Sequence, residues 1–220
     1  AQAGHSLTPL LPALTPVKTR DAWPTKLKGV SLVAGVTITG NGKRLAQTQG
    51  GILFTHFGLS GPGVLDASYA AAQALHQEKR VHLSLDLLPF LSQGEILTKL
   101  EEQRQKTLVN ALASLLPQQL AQAVGSDRQI KGLAPSTLAE VARGLKGTRL
   151  EIVDVLGKNH AMVSQGGVSL REVNPRTMES RRIKGLFIAG EMLDYHGKSG
   201  GYNLHAAFAT GWLAGLEVRS

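Results

Sequence analysis

The chain has 220 residues, 24 Lys and Arg against 16 Asp and Glu for a formal net charge of +8, 42% hydrophobic residues and no cysteine. This is the composition of a globular chain with material for one large domain or two small ones, and it excludes disulfides, thiolate metal sites and catalytic thiols. No apolar run approaches the roughly 18 residues of a membrane span, which excludes a membrane helix.

The amino-terminal stretch lacks a basic start followed by a long apolar core, so it does not read as a signal peptide, and a cytoplasmic location is expected. The positive balance raises the question of a nucleic-acid partner. Lys and Arg are scattered, however, with only Arg181-Arg182-Ile183-Lys184 forming a short cluster. Basic and aromatic residues do not interleave as they do in single-strand binders. The expectation is a solvated basic face, which would also suit an anionic dinucleotide.

Gly4-His5-Ser6 followed by Pro9, Pro12 and Pro16 predicts an extended connector over residues 1–17. From Val17 to Phe54 the pattern is β, with Leu27, Val30, Leu32, Val36 and Ile38 among turn residues. Gly40-Asn41-Gly42 is a hairpin signal leading into a second strand over 43–49, and Gly50-Gly51 opens a third apolar run. Next comes Thr55-His56-Phe57-Gly58-Leu59-Ser60-Gly61-Pro62, where Ser60 is the expected N-cap of a small-faced helix over 63–76. His56 reads as either a structural hydrogen-bonder or a catalytic base. Ser60 has no His and Asp at a recognisable spacing, which argues against a hydrolase triad.

Val81 to Leu87 alternates as a strand, and helices are predicted over 92–105, 107–116, 117–124 and 135–145. Ser92 and Glu95 form a capping box at the first of these. Thr148 to Val155 is again β. Short strands with tight turns indicate a small barrel or sandwich, and the leucine and alanine stripes of the helices read as core. The seven His are dispersed without H-x-x-x-H spacing, so no metal site is expected.

The last third carries the chemistry. Gly166-Gly167 permits either a close backbone approach or a simple hairpin turn. Leu186-Phe187-Ile188-Ala189 has the composition of a buried strand, closed by Gly190 and Glu191. Gly200-Gly201-Tyr202-Asn203 then enters a helical pattern in which Leu204, Ala207, Phe208, Gly211, Trp212 and Gly215 share a face. Strand, glycine loop and helix N-terminus together can hold a flat or anionic ligand, and an ordinary αβ connection is the alternative.

The A-G-E, L-D and G-G-Y-N elements, with T-H-F-G-L-S-G-P and A-x-V-x-x-G-G-V earlier, closely resemble the YhiN/BaiN-like (HI0933-like) family of NAD(P)/FAD-dependent oxidoreductase flavoproteins. The resemblance implies an α/β (α+β) chain: a connector at 1–17, an insert domain of small β-barrel plus helical subdomain at 18–156, and a C-terminal FAD-binding segment of Rossmann-like character at 157–220. It implies FAD held by Gly166, Gly167, Gly190, Glu191, Gly200, Gly201, Tyr202, Asn203 and Leu204, with Glu191 on the ribityl hydroxyls and the Gly201–Leu204 amides at the pyrimidine edge. Hydride transfer through flavin to a small-molecule substrate, fed by NAD(P)H, is the implied activity, and no catalytic residue is assigned. His196 and His205 depart from the family pattern. No G-x-G-x-x-G follows an early strand, so the sequence reads as the C-terminal part of a longer flavoprotein, inactive without an N-terminal FAD-binding half. A non-enzymatic module whose basic surface holds RNA or another polyanion is the rival reading.

Overall fold

The computed structural model describes residues 3–157 and 159–218. The chain divides into two compact units, one formed by Pro16–Val155 and the other by Ala1–Thr15 with Leu156–Ser220. In chain order the strands are β1 (Leu7–Ala13), β2 (Val17–Thr19), β3 (Ser31–Gly40), β4 (Lys43–Phe54), β5 (Gly58–Ser60), β6 (Val81–Asp86), β7 (Thr148–Val155) and β8 (Val163–Val168). The α-helices are α1 (Pro62–His76), α2 (Gln93–Glu101), α3 (Leu108–Leu112), α4 (Gln118–Val124), α5 (Pro135–Lys146) and α6 (Tyr202–Glu217).

Pro16–Val155 holds a closed barrel in the order β2-β5-β4-β3-β6-β7. Its centre is the β3–β4 hairpin, paired from Ser31↔Leu53 down to Gly40↔Lys43. Asn41 (φ 48) and Gly42 (φ 79) are both left-handed, as a two-residue turn between right-twisted strands demands. Residues 43–54 form one strand where the sequence suggested two. Gly50 and Gly51 interrupt the apolar pattern but not the ladder, which continues through Gly50↔Ala34 and Gly51↔Val33.

Alternation fills the interior. Ala34, Val36 and Ile38 of β3, Val81, Leu83 and Leu85 of β6, and Leu150 and Ile152 of β7 are all buried. Helix α1 packs against β3 to β7, presenting Val64, Ala67, Ala71 and Ala74 to the core. Small side chains let that helix come close, and at its start the approach is backbone to backbone. A Cβ on Gly50 would lie 3.1 Å from the Gly63 nitrogen, and the Thr48 hydroxyl donates to the Gly63 carbonyl at 2.6 Å. The helix begins one residue later than a Ser60 cap would place it: Ser60 belongs to β5, opposite Leu53, and the N-cap is Gly61. His56 is exposed on the preceding turn, its ring edge-on to Phe57 at 4.8 Å.

Helices α2 to α5 make the helical subdomain around Ile96, Leu100, Leu108, Leu112, Leu120 and Ile130. At α2 the capping box is complete, the Glu95 amide donating to the Ser92 hydroxyl (3.2 Å) and the Ser92 amide to the Glu95 carboxylate (2.7 Å). Lys146, at the end of α5, reaches the Asp86 carboxylate at 2.6 Å and the Leu91 carbonyl at 2.6 Å, tying this subdomain to the end of β6.

In the second unit, residues 7–13 of the extended connector form strand β1, paired antiparallel with β8 from Leu7↔Val168 to Ala13↔Val163. Leu186–Ala189 does not form the expected strand. Among the described residues its one ladder contact is the Phe187↔Glu179 bridge. Ile188 is nonetheless buried in a cluster with Val168, Val173, Met178 and Leu193. No helix among the described residues is long and apolar enough to cross a membrane.

Gly61 combines φ 92 with a site where a Cβ would stand 2.6 Å from the Gly51 carbonyl oxygen, whereas Gly42 is left-handed but open. Gly42→Ala should therefore cost only the left-handed penalty, about 1–2 kcal/mol. Gly61→Ala should cost clearly more, because the β4–α1 contact must also open. Urea unfolding of the two variants makes the comparison, and equal losses would refute the close-approach account.

Candidate functional site

Helix α6 starts at Gly201, which is left-handed (φ 92), preceded by Gly200 (φ 103). No side chain caps this helix, so its first amides point outward with the positive end of the helix dipole. Around Gly201 there is open space where a Cβ would stand, and beside Gly200 only the Tyr202 ring. The loop before the helix is clasped by Asn203. Its Oδ1 accepts from the Gly197 amide at 2.7 Å, and its Nδ2 donates to the Gly197 carbonyl at 3.0 Å. A second tie runs from the Gly190 amide to the Thr210 hydroxyl at 3.0 Å, and that hydroxyl donates to the Ala206 carbonyl at 2.7 Å. The short 3-10 turn Gly190–Met192 is thereby pinned beside the first turns of α6.

Between turn and helix lies a cleft of about 270 Å³. Of the residues the sequence singled out, Gly190, Glu191 and Asn203 line it; Gly200, Gly201, Tyr202 and Leu204 lie outside its lining, with Tyr202 (61%) and Leu204 (67%) exposed. Glu191 is exposed in the 3-10 turn, not at the end of a buried strand. Gly167 meets Glu191 in a second cleft of about 650 Å³ that also contains His5, Thr8 and Ile188. Gly166 lines neither cleft; a Cβ there would overlap the Pro9 carbonyl, so the glycine serves the β1–β8 contact. Likewise a Cβ on Gly167 would stand 2.6 Å from the Met192 carbonyl oxygen.

The apolar wall of the first cleft comes from Leu170, Val173, Pro175, Met178 and Leu193, with Tyr195 at its edge and Ala206 and Ala207 from the helix. Sequence reasoning passed over most of these, since Leu170–Leu193 is turns and bridges and offers no helical or strand period. Buried polar contacts hold the wall. His5 Nε2 lies 2.8 Å from the Ser180 hydroxyl, which accepts the Arg182 and Ile183 amides at 3.0 Å each.

Glu172 ties the same wall to the start of the chain. Its carboxylate takes the Arg182 guanidinium at 2.6 Å and the Ser6 amide at 3.0 Å. Arg182 holds the Glu172 pKa far below its ordinary 4.5, at about 2, with the Ser6 amide assisting and burial opposing. Half-buried His196 lies below its ordinary 6.5 through burial, against the opposing pull of Asp194. No group of His, Asp or Glu among the described residues could hold a metal ion.

A closed six-stranded barrel carrying a four-helix subdomain, together with a glycine-entered helix on a β-ribbon unit, defines a mixed α/β protein. The model of the HI0933-like protein barrel and H2TH domain matches residues 11–163, and the chain belongs to that HI0933-like family. It is 34% identical over 222 residues to the 3-dehydro-bile acid delta(4,6)-reductase of Clostridium scindens, covering 96% of this chain and 54% of the relative. It is 34% identical over 176 residues to the ribosomal RNA dihydrouridine synthase of Escherichia coli, covering 76% and 42%. The protein of the same name from Haemophilus influenzae is 29% identical over 225 residues, covering 99% and 54%. The chain thus spans about half the length of the curated relatives it matches.

A depressed carboxylate stabilises the fold above its unfolded value and loses that contribution as pH falls toward its folded value. Acidification from 4.5 toward about 2 should therefore lower the urea midpoint of the parent chain. Glu172→Gln should start lower at neutral pH and respond less in that window. A parallel acid limb in the variant would remove Glu172 as the cause.

Proposed function

We propose that this chain supplies one side of an FAD site in an oxidoreductase that adds hydrogen to a carbon–carbon double bond in a ring, with NAD(P)H as reductant. The observation that carries this is the convergence of Glu191 and Asn203 on one cleft, at the foot of a helix whose entry is two left-handed glycines with open space. A flavin needs such a place: a backbone that a flat ring can approach, outward amides for its electron-rich edge, and a carboxylate for hydroxyls. The residues present fit that requirement. Gly200 and Gly201 would admit the ring, the amides at the start of α6 would face its pyrimidine edge, and Glu191 would accept from the ribityl chain. Bound there, FAD supplies the two-electron chemistry. The apolar wall from Leu170 to Met178 would keep water from the ring.

The names of the relatives support a reductase. One acts on a bile acid delta(4,6) system, and two make dihydrouridine in ribosomal RNA. Both names describe saturating a ring double bond, so the shared element is the chemistry and not the substrate.

Helix α6 has no buried residue, and Phe208 (76%), Trp212 (71%) and Leu204 (67%) are largely exposed. An apolar outer face of this kind calls for a cover. In the proposed holoprotein the cover is the FAD-binding half, equivalent to the portion of the relatives that this chain does not match.

The test supplies that portion of a relative as a separate polypeptide and follows flavin absorbance near 450 nm, on the order expected of an oxidised flavin. The chain alone should hold little FAD and the complemented pair should turn yellow, with Trp212 emission shifting to the blue. Gly201→Val should abolish the colour while the pair still forms. A yellow Gly201→Val complex would take the flavin away from this helix.

A further inference from the structure

Arg80 and Arg149 are 69 positions apart in the chain, yet both line one hollow beside the β6–β7 pair. The register His82↔Glu151 and Ser84↔Arg149 sets His82 and Arg149 as diagonal partners on the outer barrel face, roughly 7–8 Å apart. The β3–β4 turn closes the third side. The Asn41 amide donates to the Arg80 carbonyl at 3.0 Å, and the Arg80 amide donates to Asn41 Oδ1 at 3.0 Å, fixing the turn over the start of β6.

The result is a concavity of about 540 Å³ lined by Asn41, Gly42, Arg80, His82 and Arg149, with no carboxylate in its lining. The acids nearby are otherwise engaged: Glu151 pairs with Arg20 at 3.2 Å, and Asp21 accepts the Glu151 amide at 2.9 Å. Burial first and Arg149 second hold His82 below its ordinary pKa, Glu151 opposing and Arg80 adding to the effect. Arg80 and Arg149 in one lining repel each other, Glu151 and Asp21 offset that only from outside the hollow, and an anion within it would relieve the rest.

Two guanidinium forks suit a phosphate, which each can hold through two N–H groups, better than they suit a single carboxylate. Arg80 is also shared with an adjoining concavity where Arg20 and Lys79 stand beside Glu78 and Glu151. Cationic groups therefore continue along the surface beyond one phosphate, and the whole chain is basic at +8. We propose that Asn41, Arg80, His82 and Arg149 form a site for the backbone phosphates of a polynucleotide strand. This inference stands apart from the flavin reading and uses none of its residues.

The experiment measures anisotropy of a labelled mixed-sequence single-stranded RNA of about 20 nucleotides, long enough for any single-strand site, titrated with the full chain. Arg80→Ala/Arg149→Ala should weaken binding by about tenfold at moderate salt and lower the slope of log affinity against log salt by roughly 1 to 2. Arg80→Lys/Arg149→Lys should keep that slope and lose only part of the affinity. A control of equal charge loss, Arg176→Ala/Lys184→Ala on exposed positions of the other unit, should change affinity by less than about twofold. Equal weakening by both alanine pairs, or no RNA binding by the parent, would overturn the site. So would arginine-dependent binding to vesicles of anionic lipid in place of RNA. Flavin is absent throughout, so failure here leaves the FAD reading standing.

Discussion

The structure depends on a contact between two backbones. Where β4 carries Gly50 and Gly51, α1 begins with Gly61 and Gly63, and a Cβ on Gly50, Gly61 or Gly63 would press on the facing backbone. This brings the helix start onto the strand and lets its alanine face continue down into the barrel. A helix held a few ångströms further out would leave Val36, Ile52, Leu83 and Leu150 facing a void, and dispersion and burial would be lost together. The T-H-F-G-L-S-G-P stretch is therefore an architectural motif. Its glycines set a close approach, and its histidine faces solvent.

Much of this was legible in residues. Asn41-Gly42 marks the hairpin because a left-handed pair matches strand twist, and Ser92 with Glu95 marks a helix start because both groups find orphan amides. The alternation of Val81, Leu83 and Leu85 marks a strand buried on one side. Legibility failed where partners, not propensities, decide. Residues 7–13 read as extended, but their partner is not visible: they pair with β8, and a register shift between Thr8 and Leu11 accommodates the prolines. Gly50-Gly51 looks like a strand boundary because the reason for Gly50 being small lies thirteen residues away, at Gly63.

Charge shows the same division. In sequence the basic residues are dispersed, and Arg181-Arg182-Ile183-Lys184 is the visible cluster. In space that cluster is partly neutralised, since Arg182 is held by Glu172 and the Arg181 guanidinium donates to the Val173 carbonyl. Arg80 and Arg149 are far apart in the chain but line the same hollow on the barrel. A count of charges per window cannot see this, because a sheet makes neighbours of residues at any separation. Potential follows the surface and not the sequence.

The last segment poses the converse case, in which sequence implies more order than the described residues contain. Leu186-Phe187-Ile188-Ala189 has the uniform apolarity of a strand covered on both faces, yet one bridge to Glu179 is its whole ladder. Helix α6 has apolar residues around its circumference, yet none is buried. Apolar patterning is an imprint of surroundings, and the surroundings these two patterns suit are a sheet edge for 186–189 and a packed layer for Phe208 and Trp212. A single added α/β layer would satisfy both at once. On the reading proposed above, that layer is the rest of the FAD domain, and the cleft between Glu191 and Asn203 would then be roofed. Strand pairing, helix burial and cofactor enclosure would become one event, so flavin and the completing half should stabilise each other rather than bind independently.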